Sequence, residues 1–336
     1  MILREFLYLD TEKVRSMEAQ LNGGVSEEEQ ATTRRAKRNE LGMKGMIEHY
    51  HEWGDERHVS KSLGDAMFPI LEDQLEGEGL LTDISQQLRE SEYWRSSNLR
   101  NEYPPGSLIR ITASGTLFDA RYVATTFAGF ASACLGLQGL GVLPGSGETV
   151  EPKTSTRQHK VYTGPAPKTE LEDQIPDIKK IKLVEGDQLD TKMMRAFIRI
   201  ARGLFTPGLH INLMPTTSDE LVVSARLQEG RQFLDGDSEV LFARYGVDPQ
   251  EWTIVGTVGN YSREDATKVP SSIDLTTEDG DVTLRGRTAK FINAYMGLLG
   301  GHGFVDLPQY PGFSIVPLAV YRVISPNSVQ LTTAGE

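Results

Sequence analysis

The chain runs to 336 residues, of which 38% are hydrophobic, enough to build a core for one large domain or two ordinary ones and too apolar for a disordered chain. Its 47 acidic and 35 basic side chains give a formal net charge of −12, so the averaged field repels phosphate backbones and anionic lipid; bulk nucleic-acid binding is disfavoured and no membrane partner is expected. One cysteine, Cys134, excludes an internal disulfide and a cysteine-based zinc cluster and points to a reducing, cytoplasmic compartment.

Met1 to Leu9 alternates apolar with polar residues and does not read as a signal peptide. Arg4 to Leu9 suits a strand packed on both faces. Asp10 then offers an N-cap carboxylate to a helix from Thr11 to Leu21, with Val14, Met17 and Leu21 on one stripe and Asn22, Gly23 and Gly24 ending it. Residues 26–60 are highly charged and short of aliphatic side chains, the pattern of an exposed insertion. A helical period resumes at Leu63, Met67, Ile70, Leu71 and Leu75.

Pro104, Pro105 and Gly106 turn the chain into a strand from Leu108 to Thr112, which Gly115 interrupts and Thr116 to Phe118 resumes. The following stretch, Val123 to Leu143, carries no charge but includes Thr125, Thr126, Ser132 and Gln138; it reads as a buried helix with a flexible exit rather than a membrane span. Residues 144–186 collect proline, threonine, glycine and lysine without apolar period, so the main organisational boundary is placed there. This divides the chain into an N-terminal half, 1–143, the linker or loop 144–186, and a C-terminal half, 187–328.

In the second half Asp190 caps an amphipathic helix carrying Met193, Met194, Phe197, Ile198, Ile200, Ala201 and Leu204. Leu209 to Met214 and Glu220 to Leu227 read as two strands around a turn, and a helix runs through Phe233, Val240, Leu241 and Tyr245. Trp252 to Val258 is a strand. A second insertion, 262–286, precedes a helix from Thr288 to Leu299, and Ser314 to Ile324 is a strand in which Pro317 signals an edge or a bulge. The expected class is therefore α+β, with hairpin-paired antiparallel strands and packed helices. Both halves share the order helix, strand, strand, helix, which raises an internal duplication.

Motifs with direct chemistry are sparse: the chain lacks a Walker loop, a Gly-x-Ser-x-Gly elbow and a zinc-protease helix. No cofactor is expected and no catalytic residue is assigned. His302 sits between glycines that allow close backbone approach, and with Asp10 and Arg322 forms the candidate ligand-binding set; a helix C-cap is the competing reading for His302. His49, His51 and His58, interleaved with carboxylates, are the candidate metal ligands, although their spacing matches no standard zinc pattern. Arg34, Arg35, Lys37 and Arg38 form the one dense basic run, a candidate polyanion contact or a solvated loop.

The run from Arg4 to Asp10, followed by Val14, Ser16, Ala19 to Leu21 and Gly23-Gly24, resembles the opening of an uncharacterised bacterial family, a domain of unknown function. Tyr245-Gly246 with Trp252 to Gly256, and Val316 to Arg322, extend the resemblance over most of the chain. It implies a bacterial cytoplasmic protein from a mobile-element or phage-defence setting and supplies no catalytic residue. Together these readings favour a non-enzymatic binding or regulatory protein with an unknown protein partner or small ligand, and a homo-oligomer on base rates. The alternatives are a hydrolase whose site assembles only in three dimensions and a nucleotide-sensing or nucleic-acid-associated regulator.

Overall fold

The computed structural model describes residues 3–21, 56–96, 98–141, 181–184, 187–189, 191–218, 220–265 and 284–324. The first strand, β1 (Leu3–Leu9), runs into α1 (Thr11–Leu21). Asp10 makes that junction: its Oδ1 accepts from the Lys13 backbone N–H at 3.1 Å, satisfying one of the donors that a helix start leaves open. After α2 (Glu56–Gly77) come β2 (Leu81–Asp83), a single 3₁₀ turn (Gln87–Arg89), two short helices α3 (Ser91–Arg95) and α4 (Asn98–Glu102), and the long strand β3 (Leu108–Phe118).

Next are α5 (Ala120–Gly139), β4 (Ile181–Val184), β5 (Asp187–Leu189) and α6 (Thr191–Leu204). Then β6 (His210–Met214), β7 (Val223–Arg226), α7 (Ser238–Tyr245), β8 (Gln250–Tyr261), α8 (Arg285–Gly301) and β9 (Phe313–Ile324) complete the chain order.

Seven of these strands form one sheet, and five of them close on themselves. β3 pairs antiparallel with β6 and β8, β6 with β7, β8 with β9, and a short parallel ladder of Val223 with Phe313 and Ser224 with Ser314 joins β7 to β9. β1 extends the ring beside β9 and β2 beside β3. Closure satisfies backbone groups that an open sheet would leave at its edges. The expected α+β class with antiparallel pairing is what the chain adopts. The duplication expected from a shared helix, strand, strand, helix order is not seen in the pairing: the first half's two strands, Leu108 to Thr112 and Thr116 to Phe118, are the single strand β3, whereas β6 and β7 form an antiparallel hairpin.

Strand registers decide which side chains fill the ring. Ile111 lies opposite Ile254, and Ile254 opposite Val320; Leu117 lies opposite Ile211, and Ile211 opposite Ala225. Directly opposed residues share a face, and all six are buried. The alternate face of β8 and β9 packs under the helices: Val255, Ala319 and Tyr321 cluster with Leu9, Val14, Phe68, Leu71 and Leu75. Phe68, Leu71 and Leu75 recur at helical spacing on α2, and Phe6, Phe68 and Tyr321 meet edge to face with centroids 5.6 to 6.0 Å apart.

Gly115 does not interrupt β3, contrary to expectation. A Cβ there would meet Leu213 Cδ2 at 2.6 Å and Asn212 O at 3.0 Å, so the glycine lets β6 approach. The helix expected through Phe233 begins only at Ser238, because residues 233–235 cover β1: the Leu9 N–H donates to Phe233 O at 2.8 Å and the Asp235 N–H to Leu7 O at 3.0 Å. Polar residues 81–102 hide β2, the 3₁₀ turn, α3 and α4, which periodicity does not reveal.

Contacts divide the chain into two compact units. The ring with β1, β2, α1 to α4, α7 and α8 forms the first; the chain leaves it after Phe118 and re-enters at Gly208. The second holds α5, β4, β5 and α6, with Phe304–Asp306. In it, Ala124 and Ala131 of α5 pack on Met194 and Ile198 of α6, and the rings of Phe127 and Phe197 stack 6.0 Å apart. Asp119 caps α5 by accepting from the Arg121 N–H at 2.8 Å. β4 and β5 form a hairpin, so the segment expected to lack pattern ends in regular structure. Asp190 lies outside the described residues.

Candidate functional site

Three features stand out in the described residues. The first is a charge cluster between α2 and the ring. Glu72, on the inward stripe of α2, is 0% exposed. Its Oε1 accepts from the Tyr321 hydroxyl at 2.7 Å and from Arg110 Nη1 at 3.2 Å, while Arg4 Nη2 lies 2.8 Å from Oε2. Arg110 also bonds Glu76 at 3.1 Å and Asp83 at 2.9 Å.

Burial raises the Tyr321 hydroxyl well above its usual pKa, and the Glu72 carboxylate raises it further. Asp83 moves the other way: burial alone would raise it, but hydrogen bonds from Ser85 and Arg110 outweigh that and hold it below the usual carboxylate value. Two guanidinium groups, Arg4 and Arg110, are shared among three carboxylates, Glu72, Glu76 and Asp83. That is the pattern of a structural network joining α2 to the sheet.

The second feature is Arg322 on β9. Its guanidinium lies over the rings of Tyr245, 4.6 Å from the centroid, and Trp252, 5.3 Å away. Nη2 donates to Glu5 Oε2 at 2.6 Å and Nη1 to Gln250 Oε1 at 2.7 Å. Stacking plus two hydrogen bonds from a rigid fork is an arrangement that lysine does not reproduce.

The ligand-binding candidates Asp10, Arg322 and His302 thus have separate surroundings. Both oxygens of Asp10 are engaged by Lys13, through its N–H and through Nζ at 2.8 Å. His302 is the C-cap of α8, exposed, with Nδ1 2.9 Å from Leu298 O; the carbonyl accepts, so Nδ1 carries the proton. The basic run Arg34, Arg35, Lys37 and Arg38 and the histidines His49 and His51 lie outside the described residues. His58 falls on the first turn of α2, its side chain likewise outside them. Among the described residues no group of three or more His, Cys, Asp or Glu side chains stands in metal-binding proximity. Burial pushes the Cys134 thiol up, away from the reactive thiolate.

The third feature is the outer surface of the long helices, where the sequence reading needs correction. On α6, Met194, Ile198 and Ala201 are buried, whereas Met193, Phe197 and Ile200 face solvent, Ile200 at 56% exposure. α5 is not a buried helix among the described residues: only Ala120, Ala124, Ala131 and Cys134 are buried, and Leu135, Leu137 and Leu140 are exposed. On α8 only Gly300 is buried, while Ile292, Tyr295, Met296 and Leu299 are exposed at successive three- and four-residue steps. The width of the apolar stripe on α6 was the available signal: two adjacent apolar rows exceed what one packed face requires.

These features define a closed-ring α+β protein with a buried ion-pair cluster on α2 and exposed apolar helix faces. Residues 3–321 match the model of a family described as a domain of unknown function, DUF6414, and the chain belongs to that family. Neither a curated protein nor a solved structure matches the chain. No helix among the described residues is long and apolar enough to cross a membrane.

Proposed function

We propose that this is a non-enzymatic binding or regulatory protein that acts through its helix faces, with the strand ring as a rigid scaffold. The supporting observation is the exposure of Ile292, Tyr295, Met296 and Leu299 along one side of α8 and, in the other unit, of Met193, Phe197 and Ile200 along one side of α6. Large apolar side chains grouped in rows on a water-facing surface mark an interaction site, because covering them removes apolar area from water. Scattered single residues would carry no such meaning.

The test is photo-crosslinking in producing cells. A photoreactive phenylalanine analogue replaces Phe197 or Tyr295 in turn, with exposed Arg89 as the control position. Adducts at the helix positions and not at Arg89 support the reading. Labelling at Phe197 and Tyr295 no stronger than at Arg89 removes it.

A further inference from the structure

The strand ring closes in a particular order. Taken along the chain, β3, β6, β7, β8 and β9 are joined first to second, second to third, third to fifth, fifth to fourth and fourth to first, and only the third-to-fifth pair is parallel. α7 lies between the third and fourth strands. This is the topology of the oligonucleotide/oligosaccharide-binding barrel, in which the face of strands two and three, bordered by the loops after strands one and four, receives the ligand. In this chain those two connections are the longest of the ring, 119–209 between β3 and β6 and 262–312 between β8 and β9.

A topology does not name a ligand; side chains do. Thr116 of β3, Asn212 of β6, Ser224 of β7 and Ser314 of β9 stand opposite one another in register, one on each strand. Opposed residues share a face, and their chain neighbours Leu117, Ile211 and Ala225 are buried inside the ring, so the row lies on its outside. With strands about 4.8 Å apart, the row spans about 14 Å. All of its members are half-buried. Ser314 Oγ accepts from the Asn260 N–H at 3.0 Å, but the side chains of Thr116, Asn212 and Ser224 make no hydrogen bond among the described residues, and none of their polar atoms is sealed from solvent. Asn212 offers a donor and an acceptor together, and each hydroxyl offers either. Held in line on a rigid sheet, these groups are set for a ligand that brings its own donors and acceptors.

Charge separates the two ligand classes of such barrels. The row is neutral. The next row along, Phe118, His210 and Arg226, is already engaged within the protein, and the row on the other side, Ser114 and Met214, carries no charge. The face therefore presents no uncommitted cation among the described residues, and the chain as a whole has a net charge of −12. A phosphate backbone, whose contacts with cations supply much of the affinity for nucleic acid, finds no match there. We infer that the outer face of β3, β6 and β7 binds a neutral oligosaccharide whose hydroxyls pair with Thr116, Asn212 and Ser224. This site is separate from the helix faces and goes beyond the reading given for them.

The experiment is saturation-transfer NMR on the full chain with cellohexaose, maltohexaose and chitohexaose, and with a twelve-nucleotide oligothymidylate. Transfer to at least one hexasaccharide and none to the oligothymidylate is expected. Thr116→Val, which keeps the side chain's shape, should weaken hexasaccharide affinity about fivefold, and Asn212→Ala about tenfold. Asn293→Ala, on an exposed position of α8, should leave it unchanged, with thermal melts confirming that each variant is folded.

No transfer to any of the three hexasaccharides, or parental affinity in both Thr116→Val and Asn212→Ala, would overturn the proposal. Transfer to oligothymidylate that the same two variants weaken would also overturn it and give the face to single-stranded nucleic acid. Crosslinking at Phe197 and Tyr295 reads the helix faces independently, so failure of one reading leaves the other standing.

Discussion

The Tyr321 hydroxyl donates to Glu72 Oε1 across 2.7 Å of buried space, and Arg4 from β1 and Arg110 from β3 reach the same carboxylate. Three elements thus converge on one side chain of α2. Removing the carboxylate leaves the largely buried Arg4 guanidinium without its carboxylate, while Arg110 keeps Glu76 and Asp83, and a charge stripped of its partner costs more than the pair itself contributes. Glu72→Ala should lower stability by about 3 to 5 kcal/mol. Tyr321→Phe, which removes one donor and keeps the ring, should lower it by about 1 to 2 kcal/mol. Urea unfolding of the two variants gives both numbers; a Glu72→Ala loss no larger than that of Tyr321→Phe would remove the cluster's structural role.

The same burial predicts alkaline sensitivity. Burial comes first in raising the hydroxyls of Tyr8, Tyr261 and Tyr321, with Asp10 adding at Tyr8 and Glu72 at Tyr321. The folded state therefore keeps these phenols neutral, while the unfolded chain ionises them near pH 10. Their contribution is complete below that value and is lost as pH rises above it. Each should add a downward slope of about 1.4 kcal/mol per pH unit once the unfolded phenol is ionised. Denaturant titrations across the alkaline range should show the slope, and Tyr321→Phe should reduce it by one tyrosine's share. An unchanged slope in that variant would count against the raised value.

Gly256 faces Pro317 across the β8–β9 ladder. A Cβ at Gly256 would lie 2.5 Å from Val316 O and 2.9 Å from Pro317 Cα, and backbone cannot rotate away as a side chain can. Pro317 is accommodated because β9 pairs with β7 only at Phe313 and Ser314 and with β1 only from Ala319 onward, so the proline falls between the two ladders. The register shift between Val255 and Gly256 lies at the same place. Gly256→Ala should cost about 1 to 3 kcal/mol, the range for forced overpacking, whereas Gly286→Ala, with nothing within 4 Å of the added carbon, should leave stability unchanged or improve it slightly. Thermal melts of the two variants test the contrast.

Legibility in the sequence followed the range of the forces involved. α1 was readable to both ends because Asp10 and the Val14, Met17, Leu21 stripe are local, and Pro317 announced the irregularity in β9. Ring closure was not readable, since the pairings of Val223 with Phe313 and Phe118 with His210 join distant segments without any local mark. The Glu72 cluster was hidden for the same reason: Arg4, Glu72, Arg110 and Tyr321 are ordinary exposed-type residues until the sheet assembles. On α6 the amphipathic pattern did not tell the packed row from the exposed one, because Met194 and Ile198 pack on α5 while Met193, Phe197 and Ile200 face solvent.

Asp83 provides a test at the opposite end of the pH scale. It sits at the end of β2, where burial works against its charge but Ser85 and Arg110 stabilise it more, so its folded pKa is depressed. A group depressed in the folded state contributes above its unfolded value and loses that contribution as pH falls through the folded one. Asp83→Asn removes the charge at every pH. The variant should therefore be less stable than the parent at neutral pH, and the gap should close in acid as the parent protonates Asp83 itself. The side chain is partly solvated, which screens the ion pair with Arg110 and keeps the gap small. Urea midpoints of parent and variant, followed from neutral pH downward, measure it; a gap that stays constant would show that the introduced amide perturbs the turn at Ser85 and that the lost charge is not what the variant reports.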